Sequence, residues 1–148
     1  MGLKEQLISD MKEAMKARQA VRLSTIRQLR SAIKNKEIDQ QQELDDDAVI
    51  AVIGTLVKQR REAAQMFREN DRPELADKEE AELAVLQDYL PAQLSEEELR
   101  DIVTAVVAET GAASMKEMGK VMPQVMARTK GAADGKLVNQ LVREQLSG

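Results

Sequence analysis

The stretch LPAQLSEEELRDIV, residues 90–103, decides how the chain is divided. Pro91 has no backbone N–H, and its ring blocks the preceding turn, so a helix arriving from upstream must stop there. Ser95 and Glu98, three residues apart, form the capping-box pattern that opens a new helix. A stop and a start this close together predict a boundary between two domains, residues 1–93 and residues 94–148.

Working outward, the flanking segments repeat apolar residues at helical spacing. Upstream, Leu3, Leu7, Ile8, Met11 and Met15 predict a helix over about 2–18, and Val21, Ile26, Leu29 and Ile33 predict one over about 20–37. After the loop QQQELDDD, Asp45, Asp46 and Asp47 stand where carboxylates accept free backbone N–H groups and oppose the positive end of a helix. The helix they open carries Val49 to Phe67 and runs to about Glu69. Asn70-Asp71-Arg72-Pro73 breaks it, and Pro73 suits the first turn of a fourth helix over about 73–89, packed through Leu75, Leu83, Leu86 and Tyr89. Glu79, Glu80 and Glu82 read as surface residues.

Downstream, helices are expected over about 95–109, 114–129 and 134–147. Thr110-Gly111 closes the first, Ser114 with Glu117 gives a second capping box, and Asp134 caps the last. The fold class is therefore all-α: an N-terminal four-helix, bundle-like domain followed by a small three-helix tail domain. With Phe67 and Tyr89 the only aromatics, the cores must be aliphatic.

Composition removes whole classes of chemistry. The chain of 148 residues has no Cys and no His. Disulfides, thiolate nucleophiles, Cys/His zinc sites and imidazole bases are excluded. Ser24, Thr25 and Ser95 have no His partner, and no GxSxG is present. The three aspartates at 45–47 lack the EF-hand spacing. No catalytic residue, metal or cofactor is expected. The N-terminal MGLKEQLISDMKEAMK is charged and amphipathic rather than secretory, Gln6 breaks the myristoylation pattern, and no apolar run is long enough to span a bilayer. A cytoplasmic protein without a membrane partner is the expectation.

The formal net charge of -4 hides a segregated pattern. Residues 1–36 are rich in Lys and Arg. Residues 73–113 hold only Lys78 and Arg100 as cations among many acids, and the last 35 or so residues are basic again. Segregation of this kind fits an anionic partner, and equally a solvated helical surface.

The basic end contains GAADGK, residues 131–136, which approaches a phosphate-binding loop. It fails that test on three counts. Only three residues separate Gly131 from Gly135, Leu137 replaces the required hydroxyl, and a helix rather than a strand comes before. A turn between helices explains it better. Met115, Met118, Val121, Met122 and Val125 line one face, with Lys116, Lys120, Gln124 and Arg128 opposite. Gly119, at the edge of the apolar face, is expected to let another backbone approach, because Gly costs about 1 kcal/mol against Ala in a helix. Lys136 places a cation in a first helical turn, against the macrodipole. It reads either as a phosphate contact beside free N–H groups or as a solvated lysine. On the second helix Arg27, Arg30 and Lys34 share a stripe suited to phosphate contacts that position without reading sequence.

Two segments, VRLSTIRQLRSAIKNKEI (21–38) and EMGKVMPQVMARTKGAADGKLVNQLVREQL (117–146), closely resemble the YqeY family, and the resemblance extends over essentially the whole chain. It implies a helical bundle followed by a helical tail. The C-terminal part is similar to the tail of GatB, a subunit of aspartyl/glutamyl-tRNA amidotransferase, and to a module at the start of some glutaminyl-tRNA synthetases. It thereby implies tRNA contact. By position the motif residues are Gly119, Lys120, Lys130, Gly131, Ala133, Asp134, Gly135, Lys136 and Asn139. Relatives often carry a basic residue where this chain has Ala132, which weakens the phosphate reading.

The catalytic portion of GatB has no counterpart here. A label of carbon–nitrogen ligase with glutamine as amido-N-donor would be inherited by similarity alone. The expectation is a non-catalytic tRNA-contact module using Lys120, Lys130, Gly131, Gly135, Lys136 and Arg143, with Arg27, Arg30 and Lys34 as a second surface. Its partners would be tRNA, amidotransferase subunits or an aminoacyl-tRNA synthetase. The alternative is a protein–protein interaction module that does not bind nucleic acid.

Overall fold

The structure, a computed structural model, describes residues 2–147. Among them there are seven α-helices and no strand: α1 (Leu3–Lys16), α2 (Ala20–Gln40), α3 (Asp46–Glu69), α4 (Pro73–Gln87), α5 (Glu96–Thr110), α6 (Met118–Arg128) and α7 (Gly135–Ser147). The chain divides into two compact units, Met1–Leu90 and Pro91–Gly148.

In the first unit α3 packs along α4, α1 along α2, and α2 also meets α3 and α4. The core forms where the helical spacing brings Leu7, Ile26, Leu29, Val49, Ile53 and Leu86 together, each essentially without solvent contact. Burying each such side chain contributes on the order of 1.5–3 kcal/mol. Asp45 caps α3, accepting the Ala48 N–H at 2.9 Å. The neighbouring Asp46 has another role, accepting the Leu3 N–H at the start of α1 at 3.0 Å.

Three helices of this unit end in the same way, with no glycine at any of the three closures. Arg18, Gln41 and Asp71 have φ of 57°, 55° and 59°. In each case the residue's own N–H bonds three residues back and the next N–H bonds five back: Arg18 to Met15 and Gln19 to Ala14, Gln41 to Ile38 and Gln42 to Glu37, Asp71 to Arg68 and Arg72 to Phe67. These are Schellman closures built on residues that pay a steric penalty in the left-handed region.

Several expectations for this unit are corrected. Val21 and Leu75 face solvent, and so do Ile8 and Met15, while the small Ala14 and Ala76 take the buried positions. Glu82 is buried rather than on the surface. Its Oε2 lies 3.0 Å from Arg60 Nε, near enough for an ion pair but not aligned as a hydrogen bond. Arg60 also donates to Gln28. A helix period identifies a face, but it does not say which of two adjacent apolar residues a neighbouring helix covers.

The second unit packs α5, α6 and α7 around Leu99, Val103, Val106, Val121, Val125 and Val138. Ser95 caps α5, accepting the Glu98 N–H at 3.1 Å, and Gly111 closes it at φ 70°. The expected helix from 114 is instead a 3-10 turn, Met115–Glu117, leading into α6. The second capping box does not form: Ser114 makes no cap bond, and Glu117 reaches back to the Ala113 N–H at 2.6 Å.

Candidate nucleic-acid interface

Apart from Arg100 on α5 and Lys116 in the 3-10 turn, the basic residues of the second unit stand on α6, α7 and the loop joining them. Thr129 ends α6 and is itself buried, its Oγ1 donating to the Val125 carbonyl at 2.9 Å. The chain then turns tightly, Ala132 N–H closing onto the Thr129 carbonyl at 2.7 Å, with Gly131 at φ 69° in the third position of the turn. Positive φ there is the geometry that favours glycine. Two carbonyls of this turn are occupied from outside it. Gln93 Nε2 donates to Gly131 O and the Leu94 N–H to Ala132 O, both at 2.8 Å.

Asp134 then opens α7. Its carbonyl accepts from Val138 N–H at 3.0 Å and its Oδ1 from Lys136 N–H at 3.1 Å. A carboxylate of the chain thus occupies the place a bound anion would take at this helix start. What an incoming phosphate would meet is the exposed Lys136 ammonium rather than an empty cradle of N–H groups.

Along α7, Val138, Leu141, Val142 and Leu146 face the core. Lys136, Gln140 and Arg143, at i, i+4 and i+7, share the exposed side. Lys120 and Lys130 are exposed as well, and Gly135 packs near the Met126 methyl, where an added Cβ would lie 3.6 Å from it. The methionine stripe is only partly core: Val121 and Val125 are fully buried, whereas Met115 and Met126 are about two-fifths exposed. Gly119 is corrected too. A Cβ built there meets nothing within 4 Å, so no backbone of this chain uses the room it leaves.

The stripe on α2 is only partly assembled. Arg27 and Lys34 are exposed, but Arg30 is half-buried and its Nη1 contacts the Met11 Sδ at 3.4 Å. Arg27 shares a shallow, open face of α2 with Ala20, Ser24, Gln28 and Ser31.

Sequence reasoning missed one polar recess of the first unit, about 350 Å³, lined in part by Gln6, Asp10, Arg22, Asp88 and Tyr89. Asp10 is buried and accepts from Gln6 Nε2 at 2.9 Å and from the Tyr89 hydroxyl at 2.6 Å. Burial, and then the hydrogen bond to Asp10, hold the phenol well above its ordinary value. The available signal was an acid at position 10 on the apolar side of α1, facing the one tyrosine in the chain. No group of three or more acidic, His or Cys side chains able to hold a metal ion occurs among the described residues. No helix among them is long and apolar enough to cross a membrane.

Together these features define an all-helical protein of two units with an exposed basic face on the second. The chain belongs to the YqeY family: the family model for Yqey-like protein matches residues 4–146. It is similar to proteins called Altered inheritance of mitochondria protein 41, mitochondrial. The one from Lachancea thermotolerans is 41% identical over 85 residues, 57% of this chain and 46% of that protein. The one from Vanderwaltozyma polyspora is 38% identical over 91 residues, 61% of this chain and 47% of that protein. The one from Pyrenophora tritici-repentis is 30% identical over 142 residues, 93% of this chain and 77% of that protein. The chain spans about half the length of the first two. The expectation of a cytoplasmic location is corrected here, because these relatives are named as mitochondrial proteins and point to the mitochondrion instead.

Proposed function

We propose that this chain is a non-catalytic RNA-contact module, with tRNA as the RNA and the second unit as the contacting part. The observation that carries the reading is the α7 face. Lys136 and Arg143 are exposed one above the other, on the side away from the buried Val138, Leu141 and Val142. Among the described residues neither has an ion-pair partner to compete with a phosphate. Such cations bind backbone phosphates and release counterions, so affinity falls steeply with salt. The similarity of residues 117–146 to the GatB tail favours tRNA over other RNA. It also suggests an accessory role beside tRNA-dependent amidotransferase, a carbon–nitrogen ligase using glutamine as amido-N-donor. With no stacking aromatics on this face, the RNA would be folded and read by shape.

The test is fluorescence-anisotropy binding to bulk tRNA at two salt concentrations. Binding that weakens with salt and drops in Lys136→Glu supports the module. No binding at low salt, where phosphate contacts are strongest, overturns it. In that case the apolar surface at Ile38 and Met66, each about 60% exposed, makes a protein-interaction module the better reading.

A further inference from the structure

Two contacts fix how α1 lies against α2, and so which of their exposed residues share a face. Lys4 Nζ meets Glu37 at 2.7 Å, and Arg30 Nη1 meets the Met11 sulfur at 3.4 Å. On α1, Ile8 and Met15 follow Lys4 and Met11 by one helical turn each, so they continue that side outward. Lys12 stands beside them, and Lys16 lies one step further round. On α2, Lys34 follows Arg30 by four residues, Arg27 precedes it by three, and Ile38 follows Lys34 by four. The two rows meet where Arg30 touches Met11 and form one face of the helical hairpin.

This face is cationic and apolar together. Lys12, Lys16, Arg27 and Lys34 are exposed, and among the described residues none is held in an ion pair. Ile8, Met15 and Ile38 are the large apolar side chains left in solvent between them. Asp10 and Glu13 turn to the opposite side of α1, 3.8 and 3.9 Å from Arg22, and Glu5 stands at the far end of the row. Exposed apolar residues scattered singly need no explanation, but here they share a face with free cations. That combination suits the boundary of an anionic bilayer, where aliphatic side chains enter the acyl region and cations meet headgroup phosphates. A nucleic-acid backbone would use the cations, yet it gains nothing from bare aliphatic chains. The chain's aromatics, Phe67 and Tyr89, lie on neither helix, so no base could stack here. The formal net charge is -4, so an anionic surface repels the chain as a whole and attracts it only through a segregated face such as this one.

We infer that the α1–α2 face docks on an anionic lipid surface, with Ile8, Met15 and Ile38 at the acyl boundary and Lys12, Lys16, Arg27 and Lys34 against the headgroup phosphates. The helices lie on the surface: no helix among the described residues is long and apolar enough to cross a membrane. The inference uses the first unit alone and does not depend on the RNA-contact reading of the second.

The test is co-sedimentation of the full chain with vesicles of phosphatidylcholine alone and of phosphatidylcholine mixed with phosphatidylglycerol, at low and high salt. The wild type should bind the mixed vesicles, release them as salt rises, and leave the neutral vesicles unbound. Two double variants divide the two contributions. Ile8→Gln with Met15→Gln removes the apolar part and keeps good helix formers at exposed positions, so the melting temperature should hold. It should lose about tenfold in vesicle affinity while its salt dependence and its affinity for bulk tRNA stay as in the wild type. Lys12→Gln with Arg27→Gln removes one cation from each helix and should lose about fivefold for each. No binding to mixed vesicles at low salt overturns the inference. So does wild-type vesicle affinity in the Ile8/Met15 variant, which would mean that the apolar residues take no part. A Lys12/Arg27 variant that loses tRNA affinity but keeps vesicle affinity would assign the face to RNA and overturn it as well.

Discussion

Tyr89 donates its hydroxyl to Asp10 Oδ2 at 2.6 Å across 79 positions of sequence, fastening the segment after α4 to the middle of α1. The carboxylate is buried, so its acceptors depend on protein donors rather than on water. Tyr89→Phe removes one donor and should cost about 1–3 kcal/mol, the usual penalty for a buried polar group left unsatisfied. Denaturant unfolding followed by circular dichroism measures it.

The same contact fixes an alkaline limit. The Tyr89 phenol is raised above its ordinary value of 10.0 by burial and by Asp10. The unfolded chain therefore ionises first. The stabilisation is complete below pH 10 and declines as pH rises beyond it. With one tyrosine in the chain, absorbance at 295 nm reads this directly. Folded protein should show no phenolate at pH 10, whereas protein in denaturant should be about half ionised.

Glu37 sets an acid counterpart. Its carboxylate accepts from Lys4 Nζ at 2.7 Å and from the Leu44 N–H at 2.8 Å, and these bonds hold it below its ordinary value. A lowered value means stability that is present above about pH 4.5 and is lost as pH falls through the folded value. Glu37→Gln should be less stable than wild type at pH 7, and the gap should close as pH drops below 4. Because both side chains keep contact with solvent, added salt should narrow the gap as well.

The three left-handed closures predict gains rather than losses. Gln41→Gly removes the Cβ penalty at φ 55° and should stabilise by up to about 1 kcal/mol after the added freedom of the unfolded chain is offset. Gly131→Ala, at φ 69°, should destabilise by about 1–2 kcal/mol. Thermal melts of the pair should move in opposite directions.

Core truncation separates the two units. Leu99 has no solvent exposure, and Leu99→Ala should cost about 2–5 kcal/mol. The loss should appear in amides of residues 96–147 in a nuclear magnetic resonance melt, because Leu99 belongs to the core of the second unit.

How much of this was legible can be followed residue by residue. Asp45, Ser95, Gly111 and Pro73 announce helix ends because capping chemistry is local, and each stands where it was read. Arg18, Gln41 and Asp71 were invisible as closures, since the signal for that motif is a glycine and none is there. Glu82 was misplaced because its burial depends on Arg60 from another helix, a contact no spacing rule contains. For the candidate site, the cations on α7 follow from the 3.6-residue period. The occupation of the α7 start by Asp134 could be half foreseen, as a cap but not as a competitor for phosphate.

One small contact reaches further than its size suggests. Leu94 lies in irregular chain ahead of α5, yet its N–H is held by the Ala132 carbonyl. Its proton should exchange with deuterium as slowly as those inside the neighbouring helices, since it is released only when the turn at 129–132 opens. An isolated fragment starting at Glu96 would lack this latch along with Gln93. Its 129–132 turn should then exchange faster than the same residues do in the whole chain.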